Sequence, residues 1–144
     1  MLQVSGCVGK SRRRRCVARI EIVDDRYVDW RQTGTPTLIA DDFFAAGCVL
    51  GEPVAVSVVG DIGEMVGTTT INGIEVGRGR GSDVMGHPLN ALAWLANSLA
   101  ARGVSLKAGE IVLTGSLVET KWLNRGDSVR VVVSGLGTIN MRTA

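Results

Sequence analysis

Polar and apolar residues alternate along VARIEIV, residues 17–23. Val17, Arg19, Glu21 and Val23 fall on one side; Ala18, Ile20, Ile22 and then Asp24 fall on the other. A period of two predicts a β-strand. Glu21 stands between two isoleucines, so it either faces solvent or points inward at a partner; for a carboxylate the solvated face is the commoner outcome. Further on, Thr70-Ile71 and Ile74-Glu75-Val76 flank Asn72-Gly73, a pair that tolerates positive φ and predicts a hairpin. The run Gly77-Arg78-Gly79-Arg80-Gly81 reads as a flexible loop. It lacks the following Lys-Ser/Thr of a phosphate-binding loop.

The spacing changes to a helical period over residues 88–102. Leu89, Leu92, Ala93, Ala96, Leu99 and Ala100 form one stripe, Asn90, Asn97 and Ser98 lie opposite, and Trp94 falls off the stripe. Pro88 suits the first helical position and Gly103 the terminus. This helix is expected to be a packing element. A shorter helical turn is predicted at Phe43–Ala46, capped by Asp41 or Asp42.

Two later strands are predicted at Glu110–Thr114 and Ser128–Val133, with Asn124-Arg125-Gly126-Asp127 as the turn before the second. A Gly-flanked strand closes the chain. The first of these strands ends in Thr114-Gly115-Ser116. Either Gly and Ser simply terminate it, or the strand delivers a polar tip into a pocket. The fold class expected is α+β and mostly β, with one long helix.

Composition bounds the picture. A chain of 144 residues with 45% hydrophobic residues is one globular domain. No stretch of about 18 apolar residues exists, so no membrane span is expected. The net charge is +2, and four basic residues sit in one run, Arg12 to Arg15, so a basic nucleic-acid-binding face is not expected. Residues 1–16 lack periodicity and read as an irregular basic segment ahead of a domain over 17–144. Cys7, Cys16 and Cys48 are an odd set without a CxxC pair, which suits reduced thiols and a cytoplasmic protein.

Five segments in this order, IEIVDDR, IADDFFAAGCVLG, GHPLNALAWLANSLAARG, LKAGEIVLTGSL and VSGLGTINMR, resemble the 2-keto-4-pentenoate hydratases of the fumarylacetoacetate hydrolase superfamily. The resemblance runs from about Val17 to Arg142. It implies a mixed β-sheet or β-roll of that superfamily's C-terminal type and a homo-oligomer. The implied reaction is addition of water to a 2-hydroxy-2,4-dienoate or 2-oxo-4-enoate, giving a 4-hydroxy-2-oxo acid in aromatic meta-cleavage catabolism, with Mg²⁺ or Mn²⁺. By the same resemblance Glu21 is a metal ligand, Thr114, Gly115 and Ser116 bind the small-molecule 2-oxo acid, and Asp41 and Ser116 are catalytic.

The chain departs from the family pattern in three places. Asp42, Phe43 and Phe44 stand where small polar residues are common. Arg31 and Gln32 follow Trp30 where a lysine is common. The Glu-x-Glu pair that relatives carry upstream has no counterpart, since no Asp or Glu precedes Glu21. A truncated catalytic domain is therefore expected, and one carboxylate holds Mg²⁺ poorly. Ser116 and AWLAN favour a hydratase over the related 4-oxalocrotonate (2-oxo-3-enedioate) decarboxylases. An inactive fragment serving as an assembly module is the alternative of a different class.

Overall fold

The computed structural model describes residues 2–4, 7–10 and 13–144. Fourteen regular elements follow one another: β1 (Leu2–Val4), β2 (Cys7–Lys10), β3 (Arg13–Cys16), β4 (Arg19–Val23), α1 (Thr35–Ala40), β5 (Ala45–Leu50), β6 (Val54–Ala55), α2 (Val56–Val59), β7 (Val66–Ile71), β8 (Ile74–Arg80), α3 (Pro88–Ala100), β9 (Ile111–Val112), β10 (Ser128–Val133) and β11 (Gly137–Arg142). They make three sheets, in the orders β1-β4-β5, β11-β10-β7-β8 and β6-β3-β2-β9. All the pairings are antiparallel. This is the mixed, mostly β class expected, with one long helix.

Strand β10 shows why the chain folds so. In SVRVVV, Val129, Val131 and Val133 are buried while Ser128 and Arg130 are exposed. That alternation turns three valines into one core face. Ile139 of β11, Ile20 of β4, Ala18, Cys16, Val59, Met65 and Leu136 join them in a single cluster. Ile20 thus ties the first sheet to the second. The hairpin forms where Asn72-Gly73 places it, both residues taking positive φ (51° and 85°). Asn72 also accepts a hydrogen bond from the Ser128 amide (2.9 Å) and donates to Asp127 (2.7 Å).

Four expectations shift. The Gly77–Gly81 run is not a loop: Gly77, Gly79 and both arginines belong to β8, and only Gly81 opens the following turn. The helical turn lies earlier than expected, as α1, followed by a tight turn at Asp42–Phe44 before β5 begins at Ala45. The helix α3 forms as predicted, but only Pro88 is buried and Leu89 is exposed. Its stripe therefore contributes less packing than its pattern promises. Residues 1–16, which show no period, carry three short strands, although residues 1, 5, 6, 11 and 12, including Arg12 of the basic run, lie outside the described residues.

Candidate functional site

On β4 the two-residue period puts Arg19 and Glu21 on the same side. Arg19 is 1% exposed, and its Nη2 donates to Glu21 Oε2 at 3.2 Å. The Glu21 side chain is 18% exposed. It is therefore half-buried and ion-paired, neither on a solvated face nor deep in the core. Burial pushes the Arg19 guanidinium below its ordinary value, and the Glu21 carboxylate pulls in the opposite direction. Across the sheet, Glu21 faces Cys48 of β5. Among the described residues no three His, Cys, Asp or Glu side chains gather as a metal site. One carboxylate, with one oxygen already on an arginine, is too few ligands on its own to hold Mg²⁺ or Mn²⁺.

Asp41 sits at the end of α1. Its Oδ2 accepts from the Phe44 amide (3.2 Å), and its Oδ1 pairs with Arg26 Nη1 (3.2 Å). Arg26 also donates to the Ala45 carbonyl (2.8 Å), and the Asp24 amide donates to the Phe44 carbonyl (3.0 Å). These bonds hold an unusual backbone. Asp42, Phe43 and Phe44 all take positive φ (53°, 48° and 67°). Left-handed backbone costs L-residues about 1–2 kcal/mol each, so the turn stores strain that surrounding contacts must offset. Phe44 supplies part of that: its ring is buried and meets Tyr27 and Trp30 edge-on.

The Thr114-Gly115-Ser116 tip is built differently. Thr114 is buried, Gly115 takes φ 125°, and Ser116 Oγ donates to the Val118 carbonyl at 2.5 Å. The segment after the tip lies on glycines of β7 and β8. A methyl group at Gly79 would be driven into the Leu117 carbonyl, and one at Gly77 into the Val118 side chain. At Gly67 it would come within 2.8 Å of Leu117 Cδ1. Val84 closes the other side, 3.1 Å from where a Gly115 side chain would begin. The glycine-rich run is thus a seat for the tip, and close backbone approach is why it contains glycine.

A third polar cluster marks the start of α3. His87 Nδ1 accepts from the Leu89 amide (3.1 Å), so the hydrogen is on Nε2, which meets Asp61 Oδ1 at 3.1 Å. Asp61 also accepts from the Gly63 amide (2.8 Å). That amide bond, with the one from His87, holds the Asp61 carboxyl below its ordinary value.

The structure therefore places Glu21 within β4 and Asp41 at the end of α1, and stations Thr114, Gly115 and Ser116 against β7 and β8. Sequence reasoning missed Arg19, Arg26 and the seat glycines. Arg19 was legible in principle: arginine and glutamate two apart on a strand share a face. The glycines alternate with arginines through β8, a strand signal hidden by low β-propensity.

Residues 16–144 match the C-terminal domain of the fumarylacetoacetate (FAA) hydrolase family, and the chain belongs to that family. It is 38% identical over 122 residues to a 2-hydroxyhexa-2,4-dienoate hydratase of Comamonas testosteroni, a match spanning 85% of this chain and 46% of the relative. It is 30% identical over 126 residues to a 4-oxalocrotonate decarboxylase of Pseudomonas putida, spanning 88% and 47%. The chain spans about half the length of the curated relatives it matches. In fold it superposes on the 4-oxalocrotonate decarboxylase of Pseudomonas putida G7, complexed with magnesium and adipate, with a TM-score of 0.91 at 24% identity, covering 99% of this chain and 60% of that one.

Proposed function

We propose that this chain carries the substrate-binding part of a lyase site: a hydratase adding water to a 2-hydroxy-2,4-dienoate or 2-oxo-4-enoate, within aromatic meta-cleavage catabolism. The observation that carries it is the 38% identity to a dienoate hydratase across 85% of the chain, coinciding with a tip of small polar residues held by close packing. The Gly115 amide and the Thr114 and Ser116 hydroxyls are hydrogen-bonding groups suited to the carboxylate and 2-oxo oxygens of the substrate, the Ser116 hydroxyl turning from the Val118 carbonyl to donate to it. Held there, the substrate keeps one orientation, which is the contribution such a cradle makes to rate. Asp41 is proposed to act at the reacting carbons, at the head of a strained turn.

Glu21 is proposed as one carboxylate ligand of Mg²⁺ or Mn²⁺. Among the described residues no group of three metal-ligating side chains forms, so turnover by this chain is expected to be very low. A homo-oligomer acting in the cytoplasm on a small 2-oxo acid, without nucleic acid or membrane, completes the reading. The second reading, a 2-oxo-3-enedioate decarboxylase, rests on the 30% identity to a 4-oxalocrotonate decarboxylase. Product analysis separates them. Long incubation with 2-hydroxypenta-2,4-dienoate and Mn²⁺ is expected to give traces of 4-hydroxy-2-oxopentanoate, while 2-oxo-hex-3-enedioate is expected to release no CO₂. CO₂ release would sink the hydratase reading.

A further inference from the structure

Glu21 is not simply a ligand waiting for company. Its Oε2 is held by a guanidinium that is 1% exposed, on the same strand and the same face. An arginine at the surface could swing aside and let a cation take its place. Arg19 has no such freedom, because its own side chain is almost wholly enclosed, at 2% exposure. Arginine also keeps its proton at any ordinary pH. The pair is therefore close to neutral, and a divalent cation arriving at Glu21 meets a fixed positive charge beside it. With little water to screen it, that repulsion is stronger than between surface charges. Cys48, the cross-strand neighbour of Glu21, offers sulfur and no hard oxygen to offset it.

We propose that Arg19 is the resident cation of the Glu21 carboxylate in this chain, and that it antagonises divalent-metal binding there. Arg19 is then a positioning and selectivity residue: it fixes which way the carboxylate points and sets how weakly a metal is held. The inference rests on the reading of Glu21 as the carboxylate a cation would meet, and its test tells the two apart.

The probe is Mn²⁺ alone. Its binding is followed by loss of the free-ion signal in electron paramagnetic resonance, and by the shift in melting temperature that Mn²⁺ produces. The wild-type chain is expected to bind weakly and melt at the same temperature with and without Mn²⁺. Arg19→Met, of similar length without the charge, is expected to bind Mn²⁺ at least tenfold more tightly and to gain melting temperature from it. Arg19→Lys, which keeps a charge, is expected to resemble the wild type. Adding Glu21→Gln to Arg19→Met is expected to abolish the gain. A folded Arg19→Met chain with no tighter binding would overturn the role of Arg19 while leaving Glu21 as the ligand. A gain that survives Glu21→Gln would put the ion elsewhere and remove Glu21 from the site. If Arg19→Met does not fold, the wild-type arm still decides: tight Mn²⁺ binding that Glu21→Gln abolishes would show that Arg19 is no antagonist.

Discussion

The two halves of the candidate site are held by different forces. The Thr114–Ser116 tip is fixed by shape, its trailing segment lying against β8 where only glycine leaves room. The Glu21–Asp41 half is fixed by charge, with Arg19 on one carboxylate and Arg26 on the other, and it includes three consecutive left-handed residues. Steric contact is short-ranged and unforgiving, so the tip should be rigid and intolerant of added atoms. Ion pairs and a strained turn balance larger opposing terms, so that half should respond to smaller changes and in either direction. A site that must grip one substrate and also tolerate a change of charge can divide these tasks in this way.

The largest expected effect lies on the rigid side. Gly79→Ala drives a methyl group into the Leu117 carbonyl and is expected to cost about 3 kcal/mol or to displace the tip outright. Urea unfolding measures the cost. A loss under about half a kcal/mol would show that the segment yields easily and that the contrast is false. On the charged side a substitution should help. Phe43 has φ 48° and ψ 48° and is exposed, so Phe43→Gly is expected to stabilise by about 1 kcal/mol by releasing left-handed strain. A destabilised variant would mean that the ring's contacts outweigh the backbone.

Helix α3 belongs to neither half and is held by neither force. Leu92 is only half-buried, so Leu92→Ala is expected to cost about 1 kcal/mol, well short of the roughly 2–5 kcal/mol of a fully buried leucine. A larger loss in thermal unfolding would mean that the stripe is covered in solution.

The smallest effect concerns acid. Asp127 accepts from the Asn124 amide (2.7 Å) and from Asn72 (2.7 Å), and these bonds hold its carboxyl below the ordinary value. A carboxyl lowered in the folded chain stabilises fully above its unfolded value. That contribution falls away as pH drops through the folded one. Asp127→Asn should therefore be less stable than wild type at neutral pH, and the difference should close in acid below the ordinary aspartate range. Melting temperatures across pH 2–7 would show it, and a gap that persists in acid would assign the loss to geometry alone.

Much of this was legible in the sequence, for local reasons. The Asn72-Gly73 turn, the Pro88 start of α3 and the valine alternation of β10 each follow from backbone preferences of a few residues. The family could be read from five ordered segments. What was not legible depended on distant partners. Nothing near Gly77 and Gly79 announces that Leu117 will lie on them, so a strand looked like a loop. Glu21 could be placed on a face but not assigned a partner until Arg19 was seen buried beside it. The stripe of α3 showed which side is apolar but could not show how little covers it.

The proposed seat of a 2-oxo acid at the Thr114–Ser116 tip is open to a direct titration of a ¹⁵N-labelled chain with 2-oxopentanoate, which has the carboxylate and ketone but no double bond to hydrate. The amide signals of Gly115 and Ser116 are predicted to shift most, with Val84 and Leu117 following, and Ser116→Ala is predicted to weaken the binding several-fold. Shifts centred on α3 or the β10–β11 hairpin, with Gly115 and Ser116 unmoved, would contradict it.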